Sequence, residues 1–208
     1  MIEINNISFG YDSRIGFLPG KKKGEGRSAD VLKDFSLTLR ENNIYGLLGR
    51  NGTGKSTLLY LISGLLSPRQ GRVTLDGVET RLRRPEQLRE IFLVPEEFDL
   101  PPVTLDSYVR MNAPFYPRFS REILDACLRD FDLPLSLRLG ELSMGQKKKV
   151  YMSFALASGT RVLVMDEPTN GLDIPSKSRF RRVVANCMAD DRIVIISTHQ
   201  VPVSYTHL

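Results

Sequence analysis

The chain contains no run of the roughly 18 to 20 consecutive apolar residues that a membrane-spanning helix needs. Its opening, "MIEINNISFG", lacks both the basic start and the apolar core of a secretory signal. A cytoplasmic location is therefore expected. Cysteine is scarce: Cys127 and Cys187 stand far apart in the sequence with no metal-ligand partner beside them. That spacing indicates neither a disulfide nor a zinc site, and both residues are expected to be small core side chains in a reducing compartment. The net charge of +5 is concentrated in "KKKGEGR" (Lys21 to Arg27), "RLRR" (Arg81 to Arg84) and "KKK" (Lys147 to Lys149). None of these clusters is interleaved with the aromatics that stack on bases, so they read as solvated loops and helix faces, and no nucleic-acid partner is expected. Internal repeats and coiled-coil heptads are absent as well.

What is present describes an ordinary folded domain. A length of 208 residues, with 41% hydrophobic and 25% charged residues, suits one large domain with its own core. "IEINNISF" and "FSLTLREN" alternate as antiparallel strands do, with a long Gly- and Lys-rich loop between them. "IYGLL" then reads as a short strand, and "KSTLLYLISGLL" as a helix closed by Gly64. "GRVTLDG" has the pattern of a strand and hairpin turn, and "IFLVP" that of a buried strand. Residues from about 100 to 142 form a helical subdomain, with Ile123, Cys127, Leu128 and Phe131 on one apolar face. "RVLVMDEP" and "DRIVIIST" are continuous apolar runs, as in strands covered on both faces of a parallel sheet, and the segment between them is helical from Pro175. The class is α/β, with a mainly parallel core sheet and an antiparallel N-terminal portion.

"GRNGTGKS", Gly49 to Ser56, fits the phosphate-binding pattern Gly-x-x-x-x-Gly-Lys-Ser/Thr and falls between a strand and a helix. Gly49, Gly52 and Gly54, with Asn51 and Thr53, let the backbone curl so that N–H groups point at phosphate oxygens, and the helix dipole favours the same anion. Lys55 is expected to reach the β- and γ-phosphates, Ser56 to offer its hydroxyl to Mg²⁺, and Thr57 to contact the α-phosphate. The strand "VLVMDE" ends in two acids with separate tasks. Asp166 is placed to hold the metal, and Glu167 to polarise the attacking water.

"LSMGQ", Leu142 to Gln146, adds a helix start with Ser143 and Gly145 in anion-binding position. It resembles the Leu-Ser-Gly-Gly-Gln signature of ATP-binding cassette (ABC) proteins, with Met144 in place of the first glycine. The resemblance runs along almost the whole chain. Tyr11 resembles the aromatic that stacks on adenine, Gly49 to Ser56 the Walker A loop, Arg161 to Glu167 Walker B, Gly171 to Asp173 the D-loop, and His199 the switch histidine. It implies the P-loop NTPase fold of ABC ATPases and hydrolysis of ATP with Mg²⁺. Lys55, Glu167 and His199 would be catalytic, and Ser143, Gly145, Gln146 and Asp173 would complete the site of a second subunit.

One position departs from the family. Where a glutamine usually follows the "VP" strand end, "FLVPEEF" has Glu96, expected to keep the Mg²⁺ contact as a carboxylate, with Glu97 as the neighbouring alternative.

The resemblance implies the ATP-hydrolysing subunit of an ABC transporter, peripheral on the cytoplasmic face of the cell membrane. It would work with a separate integral-membrane permease and pair with a second copy or a related subunit. "FYPRFS" is most similar to subunits of ABC-2-type, exporter-like systems. A soluble ABC ATPase acting on ribosomes or DNA is the alternative; it would need a second cassette or a long coiled coil, and neither is present. A binding module without catalysis has only Glu96 in its favour. Beyond Val201 the family continues with further helix and strand, whereas "PVSYTHL" matches one translation frame of a transposase-adapter end. Residues 202–208 are therefore expected to be non-native, and His207 is not a second catalytic histidine.

Overall fold

The computed structural model describes residues 1–11 and 30–199. The Lys21 to Arg27 cluster and the 202–208 tail lie outside the described residues.

Two four-stranded sheets sandwich one helix. The first is antiparallel, in the order β2 (Leu32–Leu39), β1 (Ile2–Phe9), β4 (Gln70–Leu75), β5 (Val78–Glu79). Along β1 the buried residues Ile2 and Ile4 alternate, and then the phase slips by one so that Ile7 and Phe9 are buried. The slip is a bulge. The register with β2 shifts between Ile4 and Ile7, and Asn6 adopts φ 47°, a left-handed conformation that Asn tolerates better than most residues.

The second sheet is parallel, in the order β3 (Asn43–Leu48), β8 (Ile193–Thr198), β7 (Val162–Asp166), β6 (Ile91–Val94). On β7, Val162 and Val164 face one core while Leu163 and Met165 face the other, and all four are fully buried. That double burial is why the strand reads as an unbroken apolar run.

Helix α1 (Lys55–Ile62) fills the space between the sheets. Leu58, Leu59, Leu61 and Ile62 join Ile2, Ile4, Val73 and Val164 in one core, each worth about 1.5–3 kcal/mol if fully removed from water. The chain leaves α1 at Gly64 with φ +68°, where an added Cβ would lie 2.2 Å from the Thr80 carbonyl oxygen, so only glycine fits. A four-residue helix, α2 (Pro85–Leu88), leads into β6.

The opposite face of the parallel sheet is covered by helices. α3 (Leu105–Asn112) and α4 (Arg121–Asp130) supply the expected helical segment, each capped by a hydroxyl: Thr104 accepts from the Ser107 N–H and Ser120 from that of Ile123. α5 (Met144–Ala157) and α6 (Ile174–Asn186, Pro175 in its first turn) complete the layer. Phe154 of α5 is ringed by Phe92, Tyr108, Tyr116 and Phe119, with centroids 5.1 to 6.2 Å away.

The parallel strands β3, β7 and β8 all end on one side, delivering Gly49, Glu167 and His199 to neighbouring loops. Phosphate-binding sites of open α/β sheets form at such carboxyl ends.

Candidate functional site

The loop from Gly49 to Gly54 joins β3 to α1. Gly52 (φ 79°) and Gly54 (φ 91°) take left-handed conformations, and Gly54 stands at the N-cap of α1. Gly49 N–H donates to Thr198 O at 3.3 Å, tying the loop to the end of β8. The Lys55 ammonium folds back over the loop and donates to Gly49 O (2.7 Å) and Arg50 O (3.1 Å). The Thr53 hydroxyl donates to Arg50 O at 2.9 Å, which braces the curl from within.

A cavity of about 340 Å³ opens over this loop, lined by Tyr11, Val31, Asn51, Gly52, Gly54, Lys55, Ser56, Thr57, Glu96 and Glu167. Eight of these ten are residues the sequence assigned to nucleotide or metal. Tyr11 stands at the rim, half exposed, its ring edge-on to Phe9 with centroids 5.1 Å apart, and its hydroxyl is 3.0 Å from that of Thr57.

Glu167, which lines the cavity, and Asp166, which does not, are both buried. Glu167 has φ 44°, an uncommon conformation for a non-glycine residue that costs on the order of 1–3 kcal/mol and persists only where the surroundings hold it. Ser197, at the end of β8, is what holds it. Its hydroxyl accepts from the Glu167 N–H at 2.9 Å and donates to Asp166 Oδ1. The Glu167 carboxylate is therefore aimed: Oε2 lies 2.9 Å from His199 Nδ1, and Oε1 lies 3.7 Å from Lys55 Nζ. Oε1 is buried without a hydrogen-bond partner, since 3.7 Å is ion-pair reach but beyond a hydrogen bond. A carboxylate oxygen left in this way beside a glycine-rich loop fits a water or other donor arriving with a ligand.

Glu96 lines the same cavity and accepts from Asn170 Nδ2 at 2.9 Å through Oε1, while Glu97 is exposed and absent from the lining. Asn170 N–H donates to Glu167 O (3.0 Å), and Asn170 O accepts from Lys148 Nζ of α5 (2.9 Å). From the sequence, Ser197 falls in the switch stretch with His199 but is not expected to brace the two acids, and Asn170 has no assigned task. Both stand next to recognised motifs, but their roles depend on contacts across 30 and 74 residues of chain.

Ser143, Gly145, Gln146 and Asp173 do not line the cavity. Ser143 and Gln146 form a reciprocal capping box at the start of α5: the Ser143 hydroxyl accepts from Gln146 N–H, and Gln146 Oε1 accepts from Ser143 N–H. Gln146 thus has a structural task within its own helix, and Asp173 occupies the N-cap position of α6 without a side-chain cap bond to the backbone, the Ser176 hydroxyl holding its carboxyl below the usual range. The cysteines depart from expectation in one respect. Cys127 is a buried core residue as predicted, but Cys187 is only partly buried, and the two sulfurs, distant in sequence, are 4.0 Å apart.

Comparison with known proteins agrees with this geometry. The family model described as "ABC transporter" matches residues 32–170. The ABC transporter ATP-binding protein YtrB of Bacillus subtilis is 30% identical over 174 residues, covering 82% of this chain and 59% of the relative. The ABC transporter ATP-binding protein NatA of the same organism is 31% identical over 184 residues, covering 81% and 72%. Against YtrB, then, the chain spans well under two thirds of the relative's length. A solved dimeric ATP-binding cassette in a post-hydrolysis state, bound to ADP and Pi, superposes with a TM-score of 0.77 at 26% identity, covering 96% of this chain and 88% of that one. With the glycine loop, the paired acids and the helix-capping Ser143 in the order this fold requires, the chain belongs to the ABC transporter family and carries its P-loop ATPase fold.

Proposed function

We propose that the chain binds ATP in the cavity over the Gly49 to Gly54 loop and hydrolyses it with Glu167 as the general base. The observation that carries this reading is the Glu167 carboxylate, buried, braced by His199 on one oxygen and open on the other beside Lys55. A water next to Oε1 would give up its proton to Glu167 as its oxygen attacks the γ-phosphorus, and ADP and inorganic phosphate would leave. Lys55 neutralises the phosphates, the loop N–H groups cradle them, and Tyr11 offers its ring to the base. Ser56, Asp166 and Glu96 are oxygen donors suited to Mg²⁺, which when bound would neutralise charge on the β- and γ-phosphates.

Ser143, Gly145, Gln146 and Asp173 fit a second role, completing the site of a paired subunit. They stand away from the chain's own cavity, and the solved relative bound to ADP and Pi is dimeric.

We also infer that a separate integral-membrane permease receives the motion, with this chain peripheral on the cytoplasmic face. Among the described residues no helix is long and apolar enough to cross a membrane. A groove of about 510 Å³, lined by Leu65, Leu88, Leu93, Phe115 and Tyr116, offers an apolar surface to a partner.

The test is Glu167→Gln. With Mg-ATP the variant should bind nucleotide without turnover and accumulate as a dimer in size-exclusion chromatography. A folded, ATP-binding sample that stays monomeric, or a variant that still turns over at the parental rate, overturns the two-site reading.

A further inference from the structure

Cys127 and Cys187 take no part in the nucleotide site, yet 60 residues apart in sequence their sulfurs are 4.0 Å apart. Cys127 lies on α4 and is 2% exposed, whereas Cys187 caps the end of α6 and remains partly accessible. Each helix is held by its own contacts, so the approach of the two sulfurs is built into the packing of α4 against α6.

Beside Cys187 stands an unusual cation. Arg192 is 5% exposed, and its guanidinium donates to three backbone carbonyls: Thr160 O at 3.1 Å, Cys187 O at 2.5 Å and Leu156 O at 3.4 Å. Among the described residues no carboxylate is hydrogen-bonded to it, so the buried positive charge is compensated mainly by backbone dipoles, with Asp191 acting at longer range. Such a charge favours an anion nearby, and the Cys187 thiol is one of the ionisable groups it acts on. The Cys127 thiol beside it and the Arg192 charge draw the Cys187 thiol below its ordinary value, against burial and the Asp130 carboxylate. The Cys127 thiol is pushed up, by its hydrogen bond with the Cys187 sulfur and by burial. The two sulfurs are thus unequal in surroundings and in access, Cys187 being the one a solvent-borne oxidant reaches first.

We propose that Cys127 and Cys187 form a reversible oxidation site, a dithiol that a hydroperoxide converts to an intramolecular disulfide joining α4 to α6, with Cys187 reacting first. The Cys187 thiolate attacks one peroxide oxygen and breaks the O–O bond; the departing hydroxide takes a proton and leaves as water, giving a sulfenic acid on Cys187. The Cys127 sulfur then attacks the Cys187 sulfur, and the displaced hydroxide leaves as water with the Cys127 proton. In sum two thiols and one hydrogen peroxide give one disulfide and two waters, and an added dithiol reductant returns the pair to thiols. Closing from 4.0 Å to the roughly 2.05 Å of a bond requires a shift of about 2 Å, shared between two side-chain rotations and the helix surfaces. The bond would clamp the helix preceding the Ser143 cap to the helix following Asp173.

The experiment uses the full chain, reduced and then exposed to hydrogen peroxide, followed by alkylation and intact-mass analysis. The expected product has lost two hydrogens and both alkylatable thiols, yields a linked peptide pair containing Cys127 and Cys187, melts at higher temperature, and reverts with dithiothreitol. In Cys127→Ser, Cys187 should stop at a sulfenic acid trapped by dimedone, whereas in Cys187→Ser, Cys127 should stay reduced. Two free thiols persisting in the oxidised parent, a crosslink only between chains, or passage to sulfinic acid without a crosslink would overturn the proposal. These readouts need no nucleotide, so they stand or fall separately from the ATPase reading.

Discussion

His199 Nδ1 and Glu167 Oε2 are 2.9 Å apart, and this contact connects the end of β8 to the acid that follows β7. The imidazole is one third exposed while the carboxylate is buried, so the histidine forms the wetter wall of the pair. Its contact leaves Oε1 as the carboxylate oxygen turned toward Lys55.

Removing that wall should spoil aim rather than binding. In His199→Ala the Glu167 carboxylate is free to turn, and misplacement of a catalytic group by about 1 Å costs on the order of 100-fold in rate. ATP affinity, which the proposed function rests on the Gly49 to Gly54 loop and Lys55, should stay within about threefold. Phosphate-release kinetics beside a nucleotide titration checks both, and parental turnover in the variant would remove His199 from the mechanism.

Ser197→Ala probes the bracket behind the acids. Ser197 is fully buried and its hydroxyl serves both the Glu167 N–H and Asp166 Oδ1, so alanine leaves two buried polar groups without their partner. The expected loss is about 1–3 kcal/mol of stability. Turnover should fall as well, because the left-handed turn at Glu167 loses the group that fixes it. Denaturant midpoints and steady-state rates measured on one preparation separate the two effects.

Much of this architecture is legible in the sequence, and the illegible parts share a physical cause. β7 and β8 declare themselves because both faces are buried, and α1 because its start is a glycine-rich turn and its end is Gly64. β2 is harder: its strand begins at Leu32, three residues before the "FSLTL" alternation, because Lys33 and Asp34 interrupt the pattern and Asp34 takes φ 46°. In the site, Lys55, Ser56, Glu96 and Glu167 line one cavity, and Asp166 lies behind it, bonded to Ser197. The bracing roles of Ser197 and Asn170 could not be assigned, since a serine or asparagine gains meaning only from the partner that folding brings to it. The proximity of Cys127 and Cys187 was hidden for the same reason.

The aromatic cluster around Phe154 carries an alkaline liability. Burial pushes the Tyr108 hydroxyl up, and that of Tyr151 up to about 12, from an ordinary value near 10.0. A group whose pKa is raised on folding contributes stability that is intact below the unfolded value and lost as pH rises through the folded one. Stability should therefore decline from about pH 10 upward, by at most about 1.4 kcal/mol per pH unit for each tyrosine. Tyr151→Phe should flatten that decline, as read from urea midpoints between about pH 9 and about pH 11.5.

Glu96→Gln separates two tasks that a single carboxylate could perform. Glu96 Oε1 accepts from Asn170 Nδ2, and Asn170 in turn donates from its N–H to Glu167 O, so Glu96 could act only by orienting that turn. A glutamine keeps an oxygen acceptor at the same reach and removes the charge. If the carboxylate also meets Mg²⁺, Glu96→Gln should raise the Mg²⁺ concentration for half-maximal turnover by about tenfold. Glu96→Ala, which loses charge and acceptor together, should lower turnover further at saturating Mg²⁺. Unchanged Mg²⁺ dependence and turnover in Glu96→Gln, with a defect confined to Glu96→Ala, would assign Glu96 to the Asn170 turn alone and leave Ser56 and Asp166 as the metal's protein ligands.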